Sequence, residues 1–268
     1  MIDPGRHLTV VRGGGDLGSG TIWRLRRVGF HVVVLELERP LTVRRSVAYS
    51  SAVTDGRVVI DGIEGRRIGT AAEAPDIMAS GVVPVLVGAE LPTFDPRPSV
   101  IVDARLAKRN LDTTIDQAPL VVGLGPGFEA GVDCHAVIET MRGHRLGRVI
   151  WDGSAEPNTG IPGEVGGASA DRVIRAGRAG VLHWDVGFGD EVAQGATLGW
   201  IDDSAVRAKI TGTVRGLLLP GPVTEGLKIG DIDPRFDPAA IHQISDKALS
   251  IGGGVLEAVL VGLGTHEA

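Results

Sequence analysis

Three glycines near the start of the chain have the spacing of a phosphate-binding turn. Gly13, Gly15 and Gly18 follow an apolar run at residues 8–11 and precede an amphipathic segment at residues 21–28. Glycine lets the backbone approach a diphosphate closely, and the first N–H groups of a following helix favour an anion. The spacing therefore predicts a strand, a nucleotide-binding turn and a helix. In the alternative interpretation, the glycines only permit a tight turn between strand and helix.

A second apolar run, at residues 31–35, ends in Glu36, which lies 23 residues after Gly13. Dinucleotide-binding folds place an acidic residue for the ribose about 20 residues after the first glycine. Further on, Arg44 and Arg45 follow a proline break, and they either bind phosphate or form a solvated basic face. The residues predicted to hold the cofactor in this part of the chain are Gly13, Gly14, Gly15, Asp16, Leu17, Gly18, Ser19, Gly20, Glu36, Arg44 and Arg45.

A charged turn follows the apolar run at residues 99–102. Asp103 could bind a metal, a ribose or an ammonium group, and the nearby cations could hold phosphates or an anionic pterin. Ligands bind at the carboxyl ends of strands in parallel sheets, which favours a binding role. In the alternative interpretation, Asp103 caps a charged helix start. The residues predicted to bind the cofactor here are Asp103, Arg105, Lys108 and Asn110.

A second glycine turn follows the apolar run at residues 119–124. Its residues, Gly125, Pro126, Gly127 and Phe128, are also predicted to bind the cofactor. Two glycine turns and one charged turn at the ends of parallel strands would converge on one crevice.

Two histidines and one glutamate suggest acid/base chemistry further along the chain. His135 and Glu139 are four residues apart and share a face if this segment is a strand. Their spacing with His144 fits no standard zinc pattern, so no metal is predicted. Surface or structural roles are the alternative. The candidate catalytic residues are Asp103, Arg105, Lys108, His135, Glu139 and His144.

The elements that must position these residues alternate between strand and helix. Continuous apolar strands between helices predict an α/β fold with a Rossmann-like parallel sheet. Short strands with regular turns between residues 173 and 232 predict an inserted small β domain that resembles the biotinyl/lipoyl barrel-sandwich fold. That domain has no lysine at its expected hairpin tip near residues 202–204, which argues against a swinging arm.

We predict three parts from these patterns. Residues 1–170 form a Rossmann-like nucleotide-binding domain, residues 171–233 form the small β domain, and residues 234–268 form a helical segment that packs back on the first domain. A Pro/Gly-rich stretch at residues 155–167 is either a linker or a loop that covers a site.

Composition excludes several classes of protein. The net charge of −6 argues against a nucleic-acid binder, because such proteins need a basic face. The single cysteine excludes an internal disulfide and a cysteine-rich zinc site. The first residues lack the pattern of a signal peptide, and no apolar run has membrane-spanning length. We therefore expect a cytoplasmic protein that binds neither nucleic acid nor membrane.

Six motifs together resemble the accessory proteins of selenium-dependent molybdenum hydroxylases, the YqeB-type family. They are residues 13–20, 103–110, 123–128, 137–140 with 142–144, 157–163 and 251–257. The resemblance implies a role in maturing or inserting the molybdenum cofactor. It also implies a molybdenum hydroxylase or other cofactor-maturation proteins as partners. We further expect a homo-oligomer.

Two other functions are consistent with the glycine turn. One is an NAD(P)-dependent oxidoreductase, although the chain lacks a clear catalytic Tyr/Lys set because Tyr49 is its only tyrosine. The other is a non-enzymatic chaperone that docks a molybdenum hydroxylase. The predicted cofactor is a nucleotide or dinucleotide, with NAD(P) and molybdopterin dinucleotide as the candidates.

Overall fold

The computed structural model describes residues 2–158, 167, 170–237 and 239–266. The chain divides into two compact units. Unit 1 comprises Met1–Pro40, Ala48–Asn158 and Ile244–Ala268, and unit 2 comprises Leu41–Val47 and Thr159–Gln243. Each unit has a hydrophobic core of its own residues, and Val43, from the first segment of unit 2, packs in the core of that unit.

Unit 1 contains four α-helices and eleven strands in its described residues. The helices are α1 (Asp16–Arg27), α2 (Ala52–Asp55), α3 (Ala74–Ala79) and α4 (Asp246–His266). The strands are β1 (Leu8–Arg12), β2 (His31–Glu36), β3 (Arg57–Ile60), β4 (Ile63–Ile68), β5 (Val83–Val87), β6 (Val100–Asp103), β7 (Leu120–Leu124), β8 (Glu129–Ala130), β9 (Ala136–Ile138), β10 (Val149–Ile150) and β11 (Gly153–Ser154).

Nine of these strands form one sheet in the order β10-β9-β7-β6-β1-β2-β5-β4-β3. The strands from β9 to β4 are parallel to their neighbours, whereas β10 and β3 at the two edges run antiparallel. Runs of valine and isoleucine fill the central strands, which are buried on both faces. The carboxyl ends of the parallel strands therefore share one edge.

The predicted fold class is wrong on two counts. The large sheet is mixed and not purely parallel, because a hairpin at Asp61 and Gly62 folds β3 back on β4. Both turn residues have positive φ angles, 43° and 83°, which suits this reversal. The second count concerns unit 2, whose sheets do not form a plain lipoyl-type barrel.

Unit 2 contains two antiparallel sheets of four strands each. Their orders are β12-β19-β17-β14 and β16-β15-β13-β18. The strands are β12 (Val173–Arg175), β13 (Gly180–Trp184), β14 (Glu191–Val192), β15 (Thr197–Ile201), β16 (Ser204–Arg207), β17 (Gly212–Leu217), β18 (Gly221–Val223) and β19 (Lys228–Asp233). Apolar side chains of both sheets share one core.

Helices α1 and α4 cover one face of the large sheet, and glycines let the two helices approach closely. A Cβ atom built on Gly252 would lie 2.5 Å from the carbonyl oxygen of Gly20, and one built on Gly20 would collide with Ala248. Gly254 packs in the same way on Gly147. Close backbone packing therefore accounts for glycines that weaken a helix intrinsically.

One helical stretch of the described chain, Ala239–Gly264, is long and apolar enough to cross a membrane, and half of its apolar window is buried inside the protein. Within it, α4 contributes Ala248, Ile251 and Val255 to the core of unit 1. In these contacts α4 packs as a core helix of unit 1.

Candidate functional site at the carboxyl edge of the sheet

The three predicted turns meet at one edge of the sheet. A Cβ atom built on Gly13, after β1, would lie 2.8 Å from the carbonyl oxygen of Ala104, after β6. One built on Gly127, after β7, would lie 2.5 Å from the backbone nitrogen of Arg109. The turns are therefore adjacent, and they touch through their backbones.

Packing within the protein uses most of the first glycine turn. The Gly13 N–H donates to the Leu35 carbonyl at 2.8 Å, and the Gly14 carbonyl accepts from the Ser50 N–H at 2.9 Å and from the Ser19 hydroxyl at 3.1 Å. Gly13 has a φ of 103°, which favours glycine. The tight-turn interpretation thus accounts for Gly13 and Gly14 without a ligand.

The first turn of α1 differs from Gly13 and Gly14 because it begins without a side-chain cap. Gly15 occupies the N-cap position and supplies no side-chain acceptor for the first N–H groups of the helix. Asp16 and Leu17 are partly buried, while Gly18 and Gly20 are buried against backbone. The start of α1 therefore has no side-chain cap, and a helix N-terminus favours an anion.

Glu36 fixes the glycine turn. Its Oε1 accepts from the Gly14 N–H at 2.8 Å, and its Oε2 accepts from the Leu37 N–H at 2.9 Å. Burial raises the pKa of this carboxyl, although the two backbone hydrogen bonds partly oppose the shift. The carboxylate thus holds the turn in place in this conformation.

Arg44 and Arg45 belong to unit 2 and make contacts there. Arg44 donates to the Ala240 and Gln243 carbonyls at 3.2 Å each. Arg45 donates to the Leu217 carbonyl at 2.8 Å, and its guanidinium lies over the ring of Phe188. These contacts give both arginines a structural role.

A charged network joins the ends of β1 and β6. Arg12 donates to the Asp112 Oδ2 at 2.7 Å, and Arg105 donates to the Asp112 Oδ1 at 2.6 Å. Arg105 also holds the buried Asp103 carboxylate through Nε and Nη2. The Thr113 hydroxyl donates to Asp103 Oδ2 at 2.6 Å and accepts from both arginines. Two guanidiniums and two carboxylates are thus interlocked.

The ion pairs shift two pKa values in this network. Burial alone would lower the pKa of Arg105, but its hydrogen bonds to Asp103 and Asp112 outweigh burial and raise it. The hydrogen bond from Arg12 lowers the pKa of Asp112. Both groups are therefore charged at neutral pH.

The rest of the charged turn splits into anchored and exposed residues. Asn110 donates to the Thr113 carbonyl at 2.7 Å and to Asp133 Oδ1 at 2.9 Å. Lys108 and Arg109 are exposed, and their side chains make no hydrogen bond or ion pair within the described parts of the chain. These two cations lie beside the second glycine turn.

The second glycine turn is shaped by side-chain packing. Gly125 has a φ of 78° and lies against the Thr140 side chain, and Phe128 is buried over Gly123. Pro126 is partly buried. None of these contacts requires a ligand.

The predicted acid/base residues His135 and Glu139 have different hydrogen-bond partners. His135 Nδ1 accepts from the Val121 N–H at 3.0 Å, between β7 and β9. Glu139 is buried and accepts from the Met141 N–H at 2.7 Å and the Glu156 N–H at 2.8 Å. His144 is exposed. Among the residues that the structure describes, no group of three or more His, Cys, Asp or Glu side chains could hold a metal ion.

Sequence reasoning missed two features. It left the role of Arg12 open and did not single out Asp112. It also missed a cleft of about 400 Å³ beside Glu139, which is lined by Arg145, Arg148, Ser154 and Glu156 among others. A signal existed for Arg12, since a charged residue at the end of a buried strand needs a partner. Of the Pro/Gly-rich stretch predicted at residues 155–167, residues 159–166 lie outside the described residues.

No protein family model matches this chain. The chain is 48% identical over 259 residues to a protein from Escherichia coli (strain K12) that is described as "Uncharacterized protein YqeB". The match covers 96% of this chain and 48% of the relative, so the chain spans about half the length of that protein.

Solved structures are similar at low scores. An aspartoacylase family protein from Mesorhizobium loti is 12% identical, with 85% of each chain covered and a TM-score of 0.27. The product-bound ectoine utilization protein EutE from Ruegeria pomeroyi is 12% identical, with 84% of this chain and 52% of that chain covered and a TM-score of 0.22. A succinylglutamate desuccinylase/aspartoacylase from Rhodobacter sphaeroides is 29% identical, with 24% and 22% covered and a TM-score of 0.23. TM-scores this low establish neither fold nor activity for this chain.

These findings correct the sequence-based prediction of a molybdenum role. The relative's description assigns it no activity and no part in maturing a molybdenum cofactor. The assignment to the selenium-dependent molybdenum hydroxylase accessory family, and the function that followed from it, are therefore withdrawn.

Proposed function

We propose that unit 1 binds a nucleotide or dinucleotide at the carboxyl edge of its large sheet. The observation that carries the proposal is the start of α1 at Gly15, where the helix has no side-chain cap. Helix α1 begins after β1, which lies between β6 and β2 in the sheet. The chain continues from α1 to β2, so the strand order changes direction at this point. Ligands of open α/β sheets bind at such a switch point.

Exposed cations support an anionic ligand at this edge. Lys108 and Arg109 follow β6, and Arg105 is partly exposed. Guanidinium and ammonium groups bind phosphate oxygens, and the dipole of α1 adds to their attraction. In this proposal the diphosphate contacts the first turn of α1, and Glu36 holds the turn and does not contact the ribose.

Calorimetric titration with ADP, CTP, NAD⁺ and NADP⁺ tests the proposal. The key variant is Gly15→Asp, whose carboxylate would cap the helix and repel phosphate. We expect it to weaken binding about tenfold or more, or ~1.4 kcal/mol, with an unchanged melting temperature. Gly15→Ala is the matched control, because Gly15 has a φ of −68° that alanine adopts readily.

Charge reversal provides an independent check. We expect Lys108→Glu to weaken the same titration, whereas Arg57→Glu, on the exposed edge strand β3, should leave it unchanged. The proposal is wrong if none of the four nucleotides gives a saturable heat with the unmodified chain.

We further propose that the protein acts in the cytoplasm, where nucleotides are abundant. Core packing of α4 supports a soluble location. Fractionation of cells that express the chain tests this point, and recovery in the membrane pellet after a salt wash would contradict it.

A further inference from the structure

Arg12 is a buried cation whose carboxylate partner is half exposed. The Arg12 side chain is 2% exposed, whereas that of Asp112 is 50% exposed. Arg12 pairs in register with Asp103 of the neighbouring strand, so its position is fixed by the sheet. The charge that balances Arg12 therefore lies at the surface.

Asp112 occupies this position as a bound oxyanion would. Each of its carboxylate oxygens accepts from a different guanidinium, Oδ2 from Arg12 at 2.7 Å and Oδ1 from Arg105 at 2.6 Å. Guanidinium N–H groups bind the oxygens of phosphates and carboxylates through the same charge-assisted hydrogen bonds.

The backbone next to Asp112 is anchored without its carboxylate. The Thr113 N–H donates to Asn110 Oδ1 at 2.9 Å, and the Asp112 carbonyl accepts from Gln117 Nε2 at 2.9 Å. Rotation about the side-chain bonds of Asp112 can therefore release the carboxylate while the turn stays in place.

Release would leave Arg12 with hydrogen bonds to neutral acceptors only, the Thr113 hydroxyl at 3.2 Å and the Ala89 carbonyl at 3.2 Å. The network would then hold two guanidiniums, Arg12 and Arg105, and one carboxylate, Asp103. Because one buried positive charge would be in excess, the vacated position would attract another anion.

We propose that Arg12 and Arg105 form an oxyanion-binding site that Asp112 occupies until a phosphate or carboxylate group of a ligand displaces it. This inference rests on the proposed function in one respect, that the displacing group is the phosphate of a nucleotide. The site itself binds the shared chemistry, a pair of oxygens that carry negative charge.

Chemical rescue of Asp112→Ala tests the site. Melting temperatures are measured in chloride, in inorganic phosphate and in acetate at one ionic strength. We expect the variant to melt below the unmodified chain in chloride and to recover in a saturable manner with phosphate, with acetate or with both. The two anions then distinguish a phosphate site from a carboxylate site. The unmodified chain should respond weakly, because Asp112 competes.

Two further variants control for general salt effects. Asp246→Ala removes an exposed carboxylate that pairs with Arg142 and should show no specific rescue. Adding Arg105→Gln to Asp112→Ala should abolish the rescue. If Asp112→Ala does not fold in chloride, its refolding yield against phosphate and acetate concentration gives the same readout. Equal responses to both anions in Asp112→Ala, Asp246→Ala and the unmodified chain would overturn the inference.

The result can be separated from that of the nucleotide titrations. Rescue by phosphate or acetate in a chain that binds no nucleotide supports the site and refutes only its nucleotide ligand. Nucleotide binding that depends on Gly15, without rescue of Asp112→Ala, removes only the present inference. If both hold, Asp112→Ala should bind nucleotide more tightly than the unmodified chain, because the competing state is lost.

Discussion

One ion pair in each unit has a buried charge with a more exposed partner, and the sign of the buried charge differs between the two pairs. In unit 1 the buried guanidinium of Arg12 is paired with a half-exposed carboxylate, Asp112. In unit 2 the carboxylate of Asp231, 4% exposed, is paired with Arg172 at 2.5 Å and with the more exposed Lys228 at 3.0 Å. Removing the more exposed partner, Asp112 in unit 1 or Lys228 in unit 2, therefore leaves a buried cation in unit 1 and a buried anion in unit 2.

The number of partners differs as well. Asp231 has two cations, and so does Asp233, which pairs with Arg215 and Arg235. Arg12 has one carboxylate in the described parts of the chain. A buried charge with two partners tolerates the loss of one, whereas a buried charge with a single partner does not. The ion pairs of unit 2 thus suit a structural role. The Arg12 pair suits exchange of the Asp112 carboxylate for another anion.

The largest effect is expected where the central charge of unit 2 is removed. Asp231→Ala leaves Arg172, which is 11% exposed, and Lys228 without this carboxylate. We expect a loss of about 3–5 kcal/mol in the free energy of unfolding. Urea titrations followed by tryptophan fluorescence measure it. Asp203→Ala, at an exposed ion pair with Arg178, should cost about 0.5 kcal/mol or less.

Removing the outer group of unit 1 should have the next largest effect. In chloride, Asp112→Ala leaves Arg12 uncompensated, and we expect a loss of about 2–3 kcal/mol in the free energy of unfolding. A loss as small as that of Asp246→Ala would show that Arg12 does not depend on Asp112.

The corresponding deletion in unit 2 should be mild. After Lys228→Ala, Asp231 keeps Arg172 at 2.5 Å, so we expect a loss of about 1 kcal/mol or less. Urea titration beside Asp112→Ala gives the contrast directly. Equal losses for the two variants would remove the distinction between exchangeable and structural pairs.

Acid should produce the smallest and most gradual effect. Burial would raise the pKa values of Asp231 and Asp233, but their cationic partners outweigh burial and lower both. Carboxylates with lowered pKa values stabilise the fold above the unfolded value of about 3.9, and this stability is lost as pH falls through the folded values. Melting curves between about pH 6 and about pH 2 should therefore show a melting temperature that declines with falling pH, and the decline should be shallower in Asp231→Asn.

Local patterns in the sequence predicted the segments of the site better than its contacts. The glycine spacing marked the passage from β1 through α1 to β2, since apolar runs and glycine turns are local signals. The ion pair between Arg12 and Asp112 joins residues 100 apart, so no local pattern specifies it. The antiparallel direction of β10 escaped prediction for a similar reason, because it depends on the pairing of β10 with β9.

Some residues that were predicted to bind a ligand or to act in catalysis instead hydrogen-bond to the backbone. Glu36 stands at the position expected for a ribose ligand, yet its oxygens accept the Gly14 and Leu37 N–H groups. His135 accepts from the Val121 N–H. Spacing identifies which side chains reach an edge, and it does not reveal which backbone groups compete for them.

The place of α4 in the chain sets an order for folding during synthesis. Gly252 packs on Gly20, yet a ribosome must complete the larger segment of unit 2, Thr159–Gln243, between the other parts of unit 1 and this helix. The apolar face that α4 covers, including Val122, is therefore open to water while unit 2 is being made. The strands of unit 2 can therefore pair first, and α4 covers the face of the large sheet last.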